Sequence, residues 1–262
     1  MAIDLSRLRR VSASKPPRVL IYGPPGLGKT TLAAEFPNPV FIQVEDGTPG
    51  NLELTSFGHL GSFVEVMESL SALLNEPHEF QTVVIDSVDK LEPLVWEQTC
   101  ADNKWASIES PGYGKGYLAA EAVWREFLAL CNELRHQRGM TVIHVAHSSI
   151  DRFDDPQTAS YSRYDIRLHK RALALFQDEM DAILFLNQDV SIKSQDSGFN
   201  KKDVKGVGGG TRWIYAEGRP SFVAKNRYGL PDKFIFKPGE GYSALAAYLP
   251  AIPAPEIKQA AE

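Results

Sequence analysis

The sequence predicts an α/β protein with a mostly parallel sheet, helices on both faces and a C-terminal β-hairpin extension. Three observations predict it. Short apolar runs alternate with segments of helical spacing from residue 18 to residue 188. The first run is followed directly by a Gly/Pro loop. After residue 188 the alternation stops and strand-like stretches follow one another without intervening helices. Strands separated by full helices need crossover connections, which build parallel sheets.

The elements follow in order. "RVLIY" (18–22) suits a buried strand, and "PVFIQV" (39–44) a second. "SFVEVMESLSALL" (62–74) has helical spacing, and "TVVIDS" (82–87) is a third strand. "GYLAAEAVWREFLALCNELRHQ" (116–137) is a long amphipathic helix, and "MTVIHVAH" (140–147) a fourth strand. "RLHKRALALFQDEM" (167–180) is a helix and "DAILFLNQ" (181–188) the fifth strand. The polar, Gly-rich segment of about 191–212 is expected to be a mobile loop. "TRWIYAEG" and "RPSFVAKN" then read as hairpin strands. Residues 1–17 are expected to be a flexible basic lead-in, 18–248 one folded domain, and 249–262 a frayed Pro/Ala-rich tail.

Composition narrows the possibilities. With 262 residues, 43% hydrophobic and 23% charged, the chain can build a sizeable core. A net charge of −5 supplies no global attraction for nucleic acid, so any such partner needs a local basic patch. Cys100 and Cys131 have neither metal-ligand nor CxxC spacing and are expected to be reduced, buried thiols of a cytoplasmic protein. No apolar run approaches the ~18 residues of a membrane span.

"GPPGLGKT" (23–30) matches G-x-x-x-x-G-K-[ST] and lies between a buried strand and an expected helix start, where a phosphate-binding loop belongs. Gly23, Pro24, Pro25, Gly26, Leu27, Gly28, Lys29, Thr30 and Thr31 are the candidate ATP-binding residues. The glycines let backbone N–H groups turn toward phosphate oxygens, and the following helix start adds a favourable dipole. Lys29 would reach the β- and γ-phosphates, and Thr30 would hold Mg²⁺. Asp86 ends the third strand, which places a second Mg²⁺-side ligand at the same sheet edge. The next residue is Ser87 rather than a second carboxylate, so a water-activating group has to come from elsewhere. Glu45, at the end of the second strand, is the candidate, with its neighbour Asp46 as the alternative.

A glutamate ending the second strand, with a bare Asp-Ser after the third, resembles the RecA/recombinase class of P-loop NTPases. "GPPGLGK" by itself has an AAA character. The run "GYGKGYLAAEAVWREFLALCNELRHQRG" into "MTVIHVAHSS" is similar to the loop, helix and strand that follow in recombinases. The resemblance covers about residues 18–240 and implies a RecA-like P-loop NTPase core. It is nearest to phage-encoded RecA-core single-strand-annealing recombination proteins, the AAA-type phage nucleotide-binding proteins. "GYGKGY", "YSRYDIRLHKRALALFQDEMDAILFL" and "AKNRYGLP" carry that part of it. It would place the protein in the cytoplasm of a host cell.

The resemblance assigns further roles. His147, ending the fourth strand, would sense the γ-phosphate and couple it to DNA-facing loops; His144 on the same strand is the competing histidine. Lys225 and Arg227 lie two apart, which puts both on one face of a strand. They would form a finger reaching the ATP of a neighbouring copy, which implies a homo-oligomer, ring or filament, with ATP at the subunit interface. Single-stranded DNA is the expected partner. The loop after the fifth strand carries Lys193, Lys201, Lys202, Lys205 and Arg212 against Asp196 and Asp203. A second group, Arg163, Arg167, Lys170 and Arg171, has Tyr161 and Tyr164 beside it, and cations with aromatics suit unpaired bases. The Pro/Ala-rich tail is a candidate dock for a single-strand-binding protein. The favoured activity is DNA-stimulated ATP hydrolysis that serves annealing or strand pairing. A ring-forming helicase or remodelling motor and a non-motor ATP-dependent switch are the alternatives.

Overall fold

A computed structural model describes residues 15–47, 50, 52–196 and 202–250, with only the backbone described between 190 and 209. The basic lead-in up to residue 14, Lys201 and the tail from residue 251 lie outside the described residues. The elements in chain order are β1 (Arg18–Gly23), α1 (Lys29–Ala34), β2 (Pro39–Gln43), β3 (Ser56–His59), α2 (Phe63–Asn75) and β4 (Thr82–Asp86). Then come α3 (Val88–Asn103), α4 (Lys115–Gln137), β5 (Thr141–Phe153), β6 (Tyr161–Ile166) and α5 (Lys170–Glu179). The chain continues with β7 (Ala182–Asp196), β8 (Lys202–Tyr215), β9 (Lys225–Asn226), β10 (Lys233–Phe236) and α6 (Gly241–Ala246).

The main sheet runs β3-β2-β4-β5-β1-β7-β8-β10. From β3 to β7 every pairing is parallel, and β8 and β10 extend the sheet antiparallel. This is the α/β architecture that the sequence predicts. β1 is central, flanked by β5 and β7, while β4 lies one strand beyond β5.

Alternation along the strands divides the core into two layers. Leu20 and Tyr22 of β1 pack with Val83, Ile85 and Val142 under α2, α3, α4 and α5. Val19 and Ile21 pack on the other face with Phe41, Val84 and Ile143 against Leu32 and Ala33 of α1 and Leu245 of α6. A strand covered on both faces reads as a continuous apolar run, which is what "RVLIY" and "TVVI" show. Trp124, Phe127 and Phe176 are fully buried where α4 and α5 meet the sheet. α2 starts with a capping box in which Ser62 and Glu65 satisfy each other's backbone N–H groups.

Three expectations are corrected. The Gly-rich segment after residue 188 is largely a hairpin, with β8 from Lys202 pairing in register with β7 down to Asp196. A β ladder needs only backbone groups, so glycines that erase the side-chain pattern do not prevent it. "TRWIYAEG" and "RPSFVAKN" do not pair as a hairpin. Trp213 and Ile214 pair with Ile235 and Phe234 of β10, while Lys225 and Asn226 pair with the start of β7. Cys131 is buried, but Cys100 is only half-buried.

α3 was not legible as a helix: Pro93 interrupts it and its apolar pattern is weak. β5 continues past His147 and doubles back with β6 as a second antiparallel arm.

Candidate nucleotide site

At the carboxyl ends of the parallel strands, the loop after β1 opens a cavity of about 560 Å³. Pro25, Gly26, Gly28, Lys29, Thr30 and Thr31 line it from this loop, and Gln43, Glu45, Asp86 and His147 from the neighbouring strand ends. Two glycines are structurally required. A Cβ on Gly23 would lie 2.2 Å from the carbonyl oxygen of Leu186, and Gly28 has φ 97°. Leu27 turns away into the core.

Lys29 is buried, and its ammonium donates to the carbonyl oxygens of Gly23 and Pro24, both at 3.1 Å. Burial lowers its pKa, against the attraction of Asp86, Asp89 and Glu45. The Thr30 hydroxyl donates to Asp86 Oδ2 at 2.7 Å. Burial raises the Asp86 pKa, with Glu45 adding to the rise, and Thr30 and Lys29 oppose it. A buried hydroxyl–carboxylate pair beside a lysine is the oxygen donor set that a hard divalent cation takes, so these residues fit Mg²⁺.

The serine after Asp86 has a geometric role. Ser87 Oγ donates to Glu45 Oε2 at 3.2 Å, so the serine holds the glutamate at the cavity. Asp46 is exposed and does not line the cavity. His147 Nδ1 lies 3.9 Å from Glu45 Oε2. The ring is fixed by Asp89, whose Oδ2 is 3.0 Å from Nδ1 and whose Oδ1 accepts the His147 backbone N–H at 2.9 Å. Burial pushes the Asp89 carboxyl up, but the bonds from His147 outweigh it and hold the pKa below the usual carboxylate value.

His144 does not reach the cavity. It is fully buried among Phe127 and Phe176, and burial lowers its pKa to about 3, so it is a neutral core residue.

Sequence reasoning missed Asp89 and the role of Ser87. The signal was present in "DSVD": three residues after Asp86 is one helical turn if a helix begins at residue 88. The weak apolar pattern of α3 hides that helix start in the sequence, so the spacing by itself carries no meaning.

A family model described as an AAA domain matches residues 15–228. The chain belongs to this AAA-domain family. Among curated proteins, it is 40% identical over 79 residues to a Holliday junction branch migration complex subunit RuvB of Lacticaseibacillus casei, covering 30% of this chain and 20% of the relative. The Koribacter versatilis RuvB is 32% identical over 97 residues, covering 37% of this chain and 23% of the relative. The chain thus matches about a fifth of the length of these relatives. Among solved structures, the RadB recombinase aligns over 86% of this chain and 88% of its own, with TM-score 0.47 and 15% identity. The flagellar accessory protein FlaH of Methanocaldococcus jannaschii aligns over 86% of each chain, with TM-score 0.37 and 10% identity.

In this AAA-domain protein Arg212 of the expected DNA loop lines the cavity, while Lys225, Arg227 and the second basic group lie apart from it. Lys225 and Arg227 are level with the start of β7, at the opposite end of the sheet. Lys225 Nζ donates to the carbonyls of Gln177 and Asp178 at the end of α5. Arg227 is half-exposed and bonds Asp181 at 3.2 Å. Two members of the second basic group are paired with carboxylates. Arg163 pairs with Asp165 at 2.8 Å, and Arg171 with Glu121 at 2.7 Å. Tyr164 packs on Phe185 and Tyr161 on Phe153. Arg167 and Lys170 are exposed. Among the described residues, no helix is long and apolar enough to cross a membrane.

Proposed function

We propose that this chain binds ATP with Mg²⁺ and hydrolyses it, and that the nucleotide state controls how it holds single-stranded DNA for annealing or strand pairing. One observation carries the reading. Lys29, Thr30, Asp86, Glu45 and His147 come from separate segments of the chain and line one cavity, with Glu45 held there by Ser87.

Lys29 would exchange its two carbonyl acceptors for phosphate oxygens and neutralise them. Thr30 and Asp86 would hold Mg²⁺, which when bound supplies further charge neutralisation at the phosphates. Glu45 is the group that orients the attacking water and accepts its proton. His147 touches both this glutamate and Asp89, and its carbonyl accepts the Arg167 backbone N–H at 2.9 Å. Arg167 also donates to Ser148 O at 3.3 Å, at the base of the β5–β6 arm. A change at Glu45 therefore has a short route into that arm. The β5–β6 and β7–β8 arms leave the same edge of the sheet as the nucleotide cavity, and we assign the DNA to them. Among the described side chains, Arg163 and Arg171 are paired, which leaves Arg167 and Lys170 as the exposed cations of the second basic group. The assembly is a ring or filament, in which Lys225 and Arg227 face the nucleotide of a neighbouring copy. Arg227 is the more available of the two. The local likeness to a Holliday junction branch migration complex subunit supports a role on DNA, and a helicase or remodelling motor is the second reading.

The test is ATP turnover across a protein-concentration series, with and without single-stranded DNA, at low and moderate salt. The proposal expects stimulation by the strand and activity rising more steeply than protein concentration. Turnover indifferent to DNA would move the reading to a remodelling motor. Tight ATP binding without turnover would leave a nucleotide switch.

A further inference from the structure

We infer that Arg212 is a nucleotide-binding residue of the same chain, gripping the polyphosphate from the side opposite the carboxylates. The inference rests on the ATP reading above and extends it to a residue that the sequence pattern groups with the DNA-facing lysines.

The sheet order sets the geometry. On one side of β1, strands β5, β4 and β2 bring His147, Asp86 and Glu45 to the cavity. On the other side, β8 and the loop after β10 bring Arg212 and Pro238 to the same cavity. The loop that binds phosphate lies between an acidic wall and a cationic one.

Arg212 is held against that loop. Its Nη1 lies 3.3 Å from the point where a Cβ on Gly28 would be, and a ring carbon of Phe236 lies 2.8 Å from the same point. Any side chain at residue 28 would displace both. Phe236 is the cross-strand partner of Arg212 and is buried in the core, while Gln188 pairs with Arg212 from the other side. The base of the side chain is therefore fixed by two strands.

Among the described residues, Arg18, Arg135, Arg152, Arg163, Arg171 and Arg227 each have a carboxylate within 3.2 Å; Arg125, Arg138, Arg167, Arg212 and Arg219 do not, and of these five Arg212 is the one that lines the cavity. An arginine with five donors, half-buried beside a phosphate loop and unpaired with any described carboxylate, is matched by phosphate oxygens, which accept its planar fork. The carboxylates on the far wall mark the end where the metal and the terminal phosphate belong. Arg212 then meets the phosphates nearer the nucleoside, which ATP and ADP share.

The experiment is equilibrium binding of ADP and of a non-hydrolysable ATP analogue, with Mg²⁺, to the full chain and to Arg212→Ala, Arg212→Lys and Lys29→Ala. Single-stranded DNA binding and ligand-free melting are measured on the same samples. Arg212→Ala is expected to weaken ADP and the ATP analogue by the same factor, ~10–100-fold. Arg212→Lys should recover part of the loss, and the ligand-free melting temperature should not move. Unchanged ADP affinity in Arg212→Ala, while Lys29→Ala loses it, overturns the inference and leaves the ATP reading standing. So does a loss confined to the ATP analogue, which would place Arg212 at the terminal phosphate, or a loss confined to DNA. If the unmodified chain binds neither nucleotide, the ATP reading fails and takes this inference with it. Should Arg212→Ala not fold, Arg212→Lys decides alone, since a lysine that matches the wild type for both nucleotides removes the bidentate contact as the source of affinity.

Discussion

The two ends of the sheet carry two charge clusters built on opposite principles. At the amino ends of the strands, Asp181 accepts from Arg18, Arg135 and Arg227, at 3.0, 3.0 and 3.2 Å. Arg18 also bonds Glu179 and Asn132, so the cluster closes on itself. Burial pushes the Asp181 carboxyl up, but Arg18 and Arg135 outweigh it and hold the pKa below its usual value. At the carboxyl ends, the groups around the cavity are only partly paired. Among the described residues, Lys29 rests on carbonyl oxygens, Asp86 accepts from the Thr30 hydroxyl, Glu45 accepts from Ser87 and lies 3.9 Å from His147, and Arg212 pairs with no carboxylate. A charge cluster that satisfies itself holds elements together. One that leaves donors and acceptors directed at a cavity is arranged for a ligand.

The sharpest way to break this comparison is at the two lysine and carboxylate centres. Lys29→Ala is expected to abolish nucleotide binding or turnover, read by equilibrium binding and phosphate release, with little change in ligand-free stability. Asp181→Ala should do the reverse. It leaves the buried Arg135 without a carboxylate and Arg18 with Glu179 alone, and should cost about 3 kcal/mol, measured by denaturant unfolding, with nucleotide affinity retained in the folded fraction. If Asp181→Ala costs nothing, the closed cluster is not what fastens the amino ends of the strands.

Glu45→Gln sharpens the chemistry. Nucleotide affinity should persist while turnover falls ~10²–10⁴-fold, the usual range for loss of a general base. Wild-type turnover in this variant would remove Glu45 from the mechanism. Removal of the imidazole support by Asp89→Asn should reduce turnover by a smaller factor than Glu45→Gln, measured at saturating ATP.

Glu92 offers a pH-dependent test on the layer just behind the site. Its carboxylate accepts the His169 backbone N–H at 3.0 Å, and burial raises its pKa to about 7, helped by Asp89 and opposed by that bond. The folded protein therefore holds a proton that the unfolded chain releases near pH 4.5. The stability that this proton contributes is complete below pH 4.5 and is lost as pH rises through about 7. Glu92→Gln should flatten this loss, with a gain on the order of 2 kcal/mol at pH 8 relative to pH 4.5 in denaturant titrations. A pH dependence identical to wild type would assign the slope to other groups.

The smallest effect is expected at Arg227, which is half-exposed. Arg227→Ala should change stability by no more than ~1 kcal/mol. If it also reduces turnover only at protein concentrations where copies associate, the residue acts across a subunit boundary. Turnover that falls equally at all concentrations would mean a role within its own chain.

Much of the chemistry was readable along the chain because it resides in contiguous motifs. "GPPGLGKT" and "TVVID" each follow or form a buried strand with a candidate site residue at its end, so periodicity and composition point to the same place. The alternation of strands and helices likewise gave the parallel sheet and the long helix that became α4. The less legible parts share a physical cause. α3 lacks a strong apolar stripe, and the glycines of β8 present no side chains to alternate. Asp89 and Arg212 matter through what they face across elements, and neither lies in a motif.

What the sequence alone determined is the phosphate loop, the carboxylate at the end of the third parallel strand and the α/β class, because each is written in local backbone and burial preferences. The tertiary structure decided which of two histidines faces the cavity. It also decided that Ser87 holds Glu45, and that Arg212 belongs beside Gly28 rather than with the hairpin lysines. Those relations depend on strand order: β5 lies between β1 and β4, and β7 between β1 and β8. Long-range parallel pairing sets that order, and no local preference encodes it.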